Sequence, residues 1–193
     1  MFSKNFLQET SHIALKLDYK KIELIVNKIS YLQKNKGRLF FFGVGGSAAN
    51  CSHAVNDFRK ICLIESFFPF DNISELTARI NDEGWETCFT NWLKLFNPKP
   101  KDAIFIFSVG GGSVDRKVSL NIVDVIKFAI SKNMKILGIV GPNGGFAAKS
   151  SEYVIKVPCY KKENITPQSE SFQAVIWHCI ISNPKIKVNK TKW

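Results

Sequence analysis

The sequence RLFFFGVGGS, residues 38–47, decides the fold class of this chain of 193 residues. Its apolar run predicts a strand buried on both faces, and the glycines after it predict a turn into a helix. The arrangement recurs at AIFIFSVGGGS, residues 103–113. A helix that begins at such a turn presents free backbone N–H groups and the positive end of its dipole. Both turns are therefore predicted anion sites, suited to a phosphate.

Strands and helices alternate along the rest of the chain. We predict further strands at residues 61–64, 135–140 and 153–157. Apolar residues at helical spacing predict helices that span residues 3–18, 20–35, 47–58, 72–80, 85–96, 114–132, 147–151 and 166–182. Such alternation predicts a parallel sheet with right-handed crossovers and helices on both faces. Ligands are expected at the carboxyl ends of the strands, where the glycine turns lie.

Composition places the chain among globular proteins. Hydrophobic residues make up 45% and charged residues 22%, and no apolar run approaches the length of a membrane span. Residues 1–12 lack the apolar stretch of a signal peptide. We therefore expect a cytoplasmic protein that does not enter a membrane. Its five cysteines are an odd number without CxxC spacing, which predicts free thiols.

The net charge of +11 comes from lysines scattered between apolar positions. They are densest in the tail, residues 184–193, which carries Lys185, Lys187, Lys190 and Lys192. A solvated lysine-rich surface is the plainer interpretation, and attraction of phosphorylated substrates is the second. Nucleic-acid binding is disfavoured because no recognised motif accompanies the charge.

The first glycine turn also fits a dinucleotide-binding fingerprint. GVGGSA, residues 43–48, matches G-x-G-x-x-G/A, and Glu65 follows at a suitable distance. Three features oppose a nicotinamide cofactor. Two helices precede the first strand, a second glycine turn would have no role, and no later residues form an evident hydride-transfer site.

His53 and Asp57 lie four residues apart on a predicted helix, so their side chains share one face. An imidazole and a carboxylate placed in this way suit metal binding or proton transfer. Taken alone, such a pair is more commonly a surface interaction on a helix.

The last predicted helix carries a second polar set. Glu170 and His178 lie eight residues apart, about 12 Å of helical rise. They could share one metal ion only if both side chains lean toward a point between them, or if Glu170 precedes the regular helix. The plainer interpretation is a helix face with Val175 and Trp177 packed inward.

The order of these features resembles the SIS-domain sugar-phosphate proteins, and within them the phosphoheptose isomerase family. The resemblance covers most of the chain. In that family a metal-binding His stands six residues after the Ser of a G-x-G-G-S turn, and a catalytic, metal-binding Glu follows four residues later. Here Ser47 is followed by His53 and by the shorter acid Asp57.

Later elements of the family pattern follow in the same order. Its N-D turn is matched by Asn81-Asp82, and its serine-rich phosphate turn by Ser108–Ser113. Its Q-E-x-H-x-x-x-x-H helix is matched in place by Glu170 at the first position, Gln173 at the middle His and His178 at the last. The chain departs at Val109 and Gly110, where the family has hydroxyl side chains.

The resemblance implies an α/β fold, a three-layer α-β-α sandwich with a five-stranded parallel sheet of flavodoxin-like type. It implies one SIS domain over residues 1–193, with N-terminal helices at 1–36, an α/β core at 37–183 and a basic tail at 184–193. It also implies a homotetramer that isomerises sedoheptulose 7-phosphate to a heptose 7-phosphate through an enediol, for heptose biosynthesis.

The same resemblance assigns roles to individual residues. Asp57 and His178 would exchange protons with the sugar phosphate. A divalent metal, zinc in this interpretation, would be held by His53, Asp57, Glu170 and His178. The substrate and its phosphate would be bound by Gly45, Gly46, Ser47, Asp82, Ser108, Gly111, Gly112 and Ser113.

A different class of function stays open at this point. A SIS-domain protein without catalysis could bind a sugar phosphate or a partner protein as a regulator. The hydroxyls missing at Val109 and Gly110 favour this alternative. The acid or histidine at all four metal-type positions opposes it, because a binding protein does not need them.

Overall fold

A sheet of five parallel strands forms the centre of the molecule. The computed structural model describes residues 1–191, and its strands run in the order β2-β1-β3-β4-β5. Their bounds are β1 Leu39–Phe42, β2 Ser66–Phe67, β3 Ala103–Ser108, β4 Lys135–Val140 and β5 Val154–Lys156. Every neighbouring pair is parallel. The prediction of an α/β fold with a five-stranded parallel sheet is therefore confirmed.

Eight α-helices surround this sheet within the described residues. Their bounds are α1 Phe2–Lys16, α2 Tyr19–Lys34, α3 Gly46–Cys62, α4 Ile73–Glu83, α5 Cys88–Lys94, α6 Leu120–Ser131, α7 Gly145–Ser150 and α8 Ile165–Ser182. The two helices predicted ahead of the first strand are confirmed as α1 and α2. Every one of the eight helices is too short or too polar to span a lipid bilayer.

Successive residues of β1 point to opposite faces of the sheet, which creates two hydrophobic cores. Phe41 packs with α2, α3 and α8, and its ring lies 5.2 Å from that of Phe105 on β3. Phe40 and Phe42 pack on the other face with α5 and α6. All four residues of β1 are buried, as the apolar run predicted. The three layers follow from this burial on both faces.

The predicted strand at residues 61–64 is wrong. Helix α3 continues to Cys62 and ends at Leu63, whose φ of +53° is left-handed, and β2 follows only at Ser66–Phe67. Ile61 and Cys62 are buried from the helix instead. A short apolar run does not by itself distinguish a strand from the buried side of a helix.

Two other boundaries differ from the prediction. Residues 81–83 belong to the last turn of α4, and the chain turns only at Gly84, where φ is +87°. The helix predicted from residue 114 begins at Leu120, because Ser113 and Val118 first pair in an isolated antiparallel bridge. All five cysteines are free, as expected. Lys192, named with the basic tail, lies outside the described residues.

A buried ion pair joins the amino ends of β1 and β3. Asp102 is fully buried and accepts hydrogen bonds from the Arg38 guanidinium at 2.7 Å and from the backbone N–H groups of Arg38 and Lys99. Burial alone raises the pKa of the Asp102 carboxyl, but these hydrogen bonds outweigh it and hold the pKa below its ordinary value. The charged form is therefore favoured by folding.

We expect Asp102→Ala to lower the free energy of unfolding by about 3 kcal/mol, because it leaves Arg38 and two backbone N–H groups without their acceptor. The measurement is urea unfolding at pH 7. The same substitution at the exposed Asp115 is the control and should change stability by less than about 0.5 kcal/mol.

The loss of stability caused by Asp102→Ala should become smaller as the pH falls. Because the pKa of Asp102 is lower in the folded state, its contribution is present above the unfolded pKa of about 3.9 and is lost as the pH falls below it. A difference between Asp102→Ala and the parent that stays constant from pH 7 to pH 3 would contradict this account.

Candidate active site

Helices α3 and α8 bring together three polar side chains that are far apart in the sequence. The Asp57 Oδ2 atom lies 3.5 Å from His53 Nε2 and 3.4 Å from His178 Nε2. One ligand atom from each of the three residues lies within 4.8 Å of the others. Three of the four predicted metal-type residues therefore meet in one group.

The Asp57 carboxylate is largely buried and is held by neighbouring donors. Its side chain is 11% exposed. The indole N–H of Trp177 donates to Oδ2 at 3.2 Å, and the Asn56 amide donates to Oδ1 at 3.2 Å. Trp177 is itself buried and stacks on Phe107 of β3 at 5.8 Å. The carboxylate orientation is thus set by a ring that the sheet fixes in place.

The two histidines face outward from this buried carboxylate. Their side chains are 56% and 48% exposed, so a ligand can reach them. The Nδ1 atom of His178 lies 2.8 Å from the Ala174 carbonyl oxygen. If Nδ1 carries the proton and donates it there, the Nε2 lone pair is left for a metal ion or a proton. Two imidazoles and one carboxylate are donors that zinc accepts in catalytic sites.

Glu170, the fourth predicted ligand, contacts the first glycine turn at Gly46. A Cβ atom built on Gly46 would lie 2.5 Å from Glu170 Oε2, so this carboxylate rests directly on the first residue of α3. A helix N-terminus favours an anion. The chain's own carboxylate therefore lies at the first glycine turn, and its role as a metal ligand stays a prediction.

A buried amide network joins the first glycine turn to α8. Gln173 is fully buried, and its amide donates to Ser47 Oγ at 2.9 Å and accepts from Asn50 at 2.8 Å. Asn50 also donates to the backbone oxygen of Glu170 at 2.9 Å. Ser47, predicted to bind substrate, is only 1% exposed and is engaged in this network.

Sequence reasoning missed Asn50 and the hydrogen bond of Trp177. Trp177 was expected inside, which the structure confirms, but Val175 was expected inside as well and is 51% exposed. The available signal in the sequence was the position of Trp177 on the same predicted helix as Glu170 and His178. Spacing shows which face a residue occupies, but it does not show that an indole N–H will find a carboxylate on another helix.

The second glycine turn is held closely against a third glycine turn, GPNGG at residues 141–145, which follows β4. Gly111 has φ of +69°, and a Cβ there would lie 2.1 Å from the Gly144 carbonyl oxygen. The N–H of Phe146 donates to the Gly112 carbonyl at 2.8 Å. Only glycine fits at Gly111, because both its left-handed backbone and the adjoining chain exclude a side chain.

Two serines of the second turn accept backbone hydrogen bonds. Ser108 Oγ accepts from the Gly111 N–H at 3.0 Å, and Ser113 Oγ accepts from the Arg116 N–H at 3.3 Å. A hydroxyl that accepts a hydrogen bond keeps its own proton to donate. Each serine thus keeps a hydroxyl proton to donate, and Ser108 is buried whereas Ser113 is half-buried.

The remaining predicted substrate ligands lie apart from these contacts. Gly45 precedes α3 with φ of +65°, and a Cβ there would meet open space, so its conformation rather than its surroundings requires glycine. Asp82 is exposed in the last turn of α4, where it accepts from the Asn81 amide at 2.8 Å. Within residues 1–191, Asp82 forms no hydrogen bond to another predicted site residue.

Comparison with known proteins identifies relatives of this chain. A phosphoheptose isomerase from Aneurinibacillus thermoaerophilus is 31% identical over 170 residues, which cover 82% of this chain and 77% of that protein. A lincomycin biosynthesis protein from Streptomyces lincolnensis is 28% identical over 148 residues, and the match spans only 52% of that protein's length. No family model matches the chain.

Solved structures share the fold. The phosphoheptose isomerase from Neisseria gonorrhoeae superposes with a TM-score of 0.79 at 18% identity, covering 93% of this chain and 95% of that one. The phosphoheptose isomerase from Francisella tularensis gives a TM-score of 0.78, also at 18% identity, over 93% and 92% of the two chains. At this identity the structures establish the three-layer architecture.

We expect Trp177→Phe to lower the free energy of unfolding by about 2 kcal/mol, because it removes the indole donor to a buried carboxylate while keeping an aromatic ring. The measurement is urea unfolding of the parent and the variant. Trp85→Phe is the matched control, since Trp85 is 38% exposed and should tolerate the same change within about 0.5 kcal/mol.

A double-mutant cycle with Asp57→Ala separates the hydrogen bond from the lost ring volume. The two substitutions should couple by about 1–2 kcal/mol. Strict additivity would show that the indole N–H does not hold the carboxylate.

Proposed function

The chain belongs to the phosphoheptose isomerase family, and we propose that it interconverts the ketose and aldose forms of a sugar phosphate. The proposed substrate is sedoheptulose 7-phosphate, and the proposed product is a heptose 7-phosphate formed through an enediol. One observation carries the proposal, the meeting of His53, Asp57 and His178 from two packed helices.

The reaction needs one group that takes a proton and one that returns it, since the carbonyl moves between C1 and C2. We assign these roles to Asp57 and His178, whose Oδ2 and Nε2 atoms lie 3.4 Å apart. Asp57 is held in one orientation by Trp177 and Asn56, which suits a group that must meet the same substrate carbon in each turnover. His178 is half-exposed, and its Nε2 atom is accessible for proton exchange with the substrate when it does not coordinate a metal ion.

Zinc is the metal that we propose for this site. His53, Asp57 and His178 provide nitrogen and oxygen donors, and three protein ligands are the usual number in a catalytic zinc site. When bound, zinc would act as a Lewis acid toward the substrate oxygens that gain negative charge. The Glu170 carboxylate lies beside Gly46. Its role as a fourth zinc ligand therefore stays a prediction.

We assign the substrate phosphate to the second glycine turn. Ser108 and Ser113 keep hydroxyl protons to donate there, beside the backbone of Gly111 and Gly112. The first turn is less suited, because the Glu170 carboxylate beside Gly46 would repel a phosphate. Contacts of Gly45, Ser47 and Asp82 with other parts of the substrate remain predictions.

The leading helix supports a further proposal, assembly as a homotetramer. Only Glu9 and Ile13 of α1 are buried in a single chain. Phe2, Leu7 and Leu15 are 76%, 65% and 82% exposed. Large apolar side chains left open along one helix are typical of a surface that another subunit covers.

Binding of a sugar phosphate without turnover is the second candidate function. It is favoured by Val109 and Gly110, which provide no hydroxyl at the turn assigned to the phosphate. It is also favoured by Asp57, which reaches less far toward a substrate than a glutamate would.

We expect His178→Ala and Asp57→Asn each to reduce turnover of sedoheptulose 7-phosphate by about 10²–10⁴-fold, because each removes one partner of the proton transfer. NMR of the sugar phosphate measures the rate. Val175→Ala is the control, since Val175 is exposed on the same helix and should leave the rate unchanged. Near-parental rates in both variants would mean that the roles are wrongly assigned.

Metal removal gives an independent prediction. We expect about one zinc ion per chain by elemental analysis of the purified protein, and loss of turnover on chelation that added zinc restores. Tight binding of the sugar phosphate without conversion, with or without metal, would instead support the second candidate function.

A further inference from the structure

A cavity of about 550 Å³ adjoins the buried side of the candidate active site. It lies between the C-terminal half of α3 and the basic tail, and we refer to it as the tail cavity. Its described lining residues are Asn56, Asp57, Lys60, Ile61, Asn189, Lys190 and Thr191. The volume falls within the range of small-molecule sites, about 300–1,000 Å³. None of the glycine turns contributes to it.

The outer wall of the tail cavity is fixed by hydrogen bonds to α3. The N–H groups of Val188 and Asn189 donate to the Ile61 carbonyl at 3.0 and 2.9 Å, and the Asn189 amide donates to the Lys60 carbonyl at 2.7 Å. Carbonyls at the end of a helix lack partners within the helix. The tail satisfies them, and Lys190 and Lys60 line the same cavity.

The base of the tail segment is anchored as well. Ile186 is buried, and its carbonyl accepts from the Gln33 amide at 3.0 Å. The same amide donates to the Cys62 carbonyl at 2.6 Å, so one side chain of α2 binds both the tail and the end of α3. These hydrogen bonds therefore hold the tail, and with it the wall of the cavity, against α2 and α3.

The charges in the tail cavity favour an anion. Lys60 and Lys190 approach from two different segments, and neither forms an ion pair with a carboxylate in residues 1–191. Of the lining residues that the structure describes, Asp57 alone is acidic, and its oxygens already face Trp177, Asn56 and the two histidines. Ammonium groups without a protein counter-ion are well suited to a phosphate.

We propose that the tail cavity is a second anion site, in which Lys60 and Lys190 bind a phosphate group. Because Asp57 belongs to both the cavity and the metal-type group, a ligand whose phosphate lies between the lysines can extend its hydroxyls to the active site. A phosphorylated sugar has this chemistry. The identity of the ligand rests on the proposed function, whereas the binding of phosphate does not.

The test is titration with inorganic phosphate at low ionic strength, followed by ³¹P NMR. The parent should bind phosphate at two kinds of site, and Lys60→Gln/Lys190→Gln should weaken one of them by about tenfold or more. Ser108→Ala/Ser113→Ala should leave that same site intact. Added salt should weaken it in the parent, because the attraction is between charges.

Lys4→Gln/Lys185→Gln is the matched control, since it removes two charges at exposed lysines outside the cavity. Far-UV circular dichroism checks that all variants are folded. If the Lys60/Lys190 variant binds phosphate with the same stoichiometry and affinity as this control, the proposal is overturned.

Kinetics with sedoheptulose 7-phosphate then identifies the source of the phosphate. A KM raised about tenfold with little change in kcat assigns the site to the phosphate of the substrate, in place of the second glycine turn. An unchanged KM, with phosphate binding lost, assigns it to a separate phosphorylated ligand. If no variant turns the sugar over, the proposed function fails, and the phosphate titration still decides whether the site exists.

Discussion

The candidate site depends on one constraint, the withdrawal of the Asp57 carboxylate from water. A buried carboxylate is costly unless donors satisfy it, and here the donors come from Trp177 of α8 and Asn56 of α3. The indole hydrogen bond therefore links the two helices at the point where their histidines meet. Any shift of α8 along α3 would break this bond and separate His53 from His178. The geometry of the three-residue group therefore depends directly on how α3 and α8 pack together.

A second set of contacts keeps this helix pair in register with the sheet. Gln173 binds Ser47 and Asn50, which ties α8 to the turn that follows β1. Trp177 stacks on Phe107 of β3. The same strand, β3, leads directly into the second glycine turn, so the proposed phosphate site and the proton-transfer pair are both positioned by it.

Close packing of backbone against backbone shapes the second glycine turn, the proposed phosphate site. The second glycine turn lies against the third, where side chains at Gly111 or Gly145 would meet carbonyl oxygens at 2.1 Å. The third turn supports the second through this close contact. The Glu170 carboxylate, in contrast, lies on the first turn, so the two turns that look alike in sequence have different surroundings.

The sequence by itself determined the fold class, most element positions and the residue types of the site. Uninterrupted apolar runs, glycine turns and helical spacing are local patterns, and the strands at residues 39–42, 103–108 and 135–140 follow from them. Only the tertiary structure decided which polar groups meet. It placed Glu170 beside Gly46, paired Trp177 with Asp57, and brought Lys190 of the tail and Lys60 into the lining of one cavity. The reason is physical: spacing along one helix fixes a face, whereas contact between helices depends on how the whole core packs.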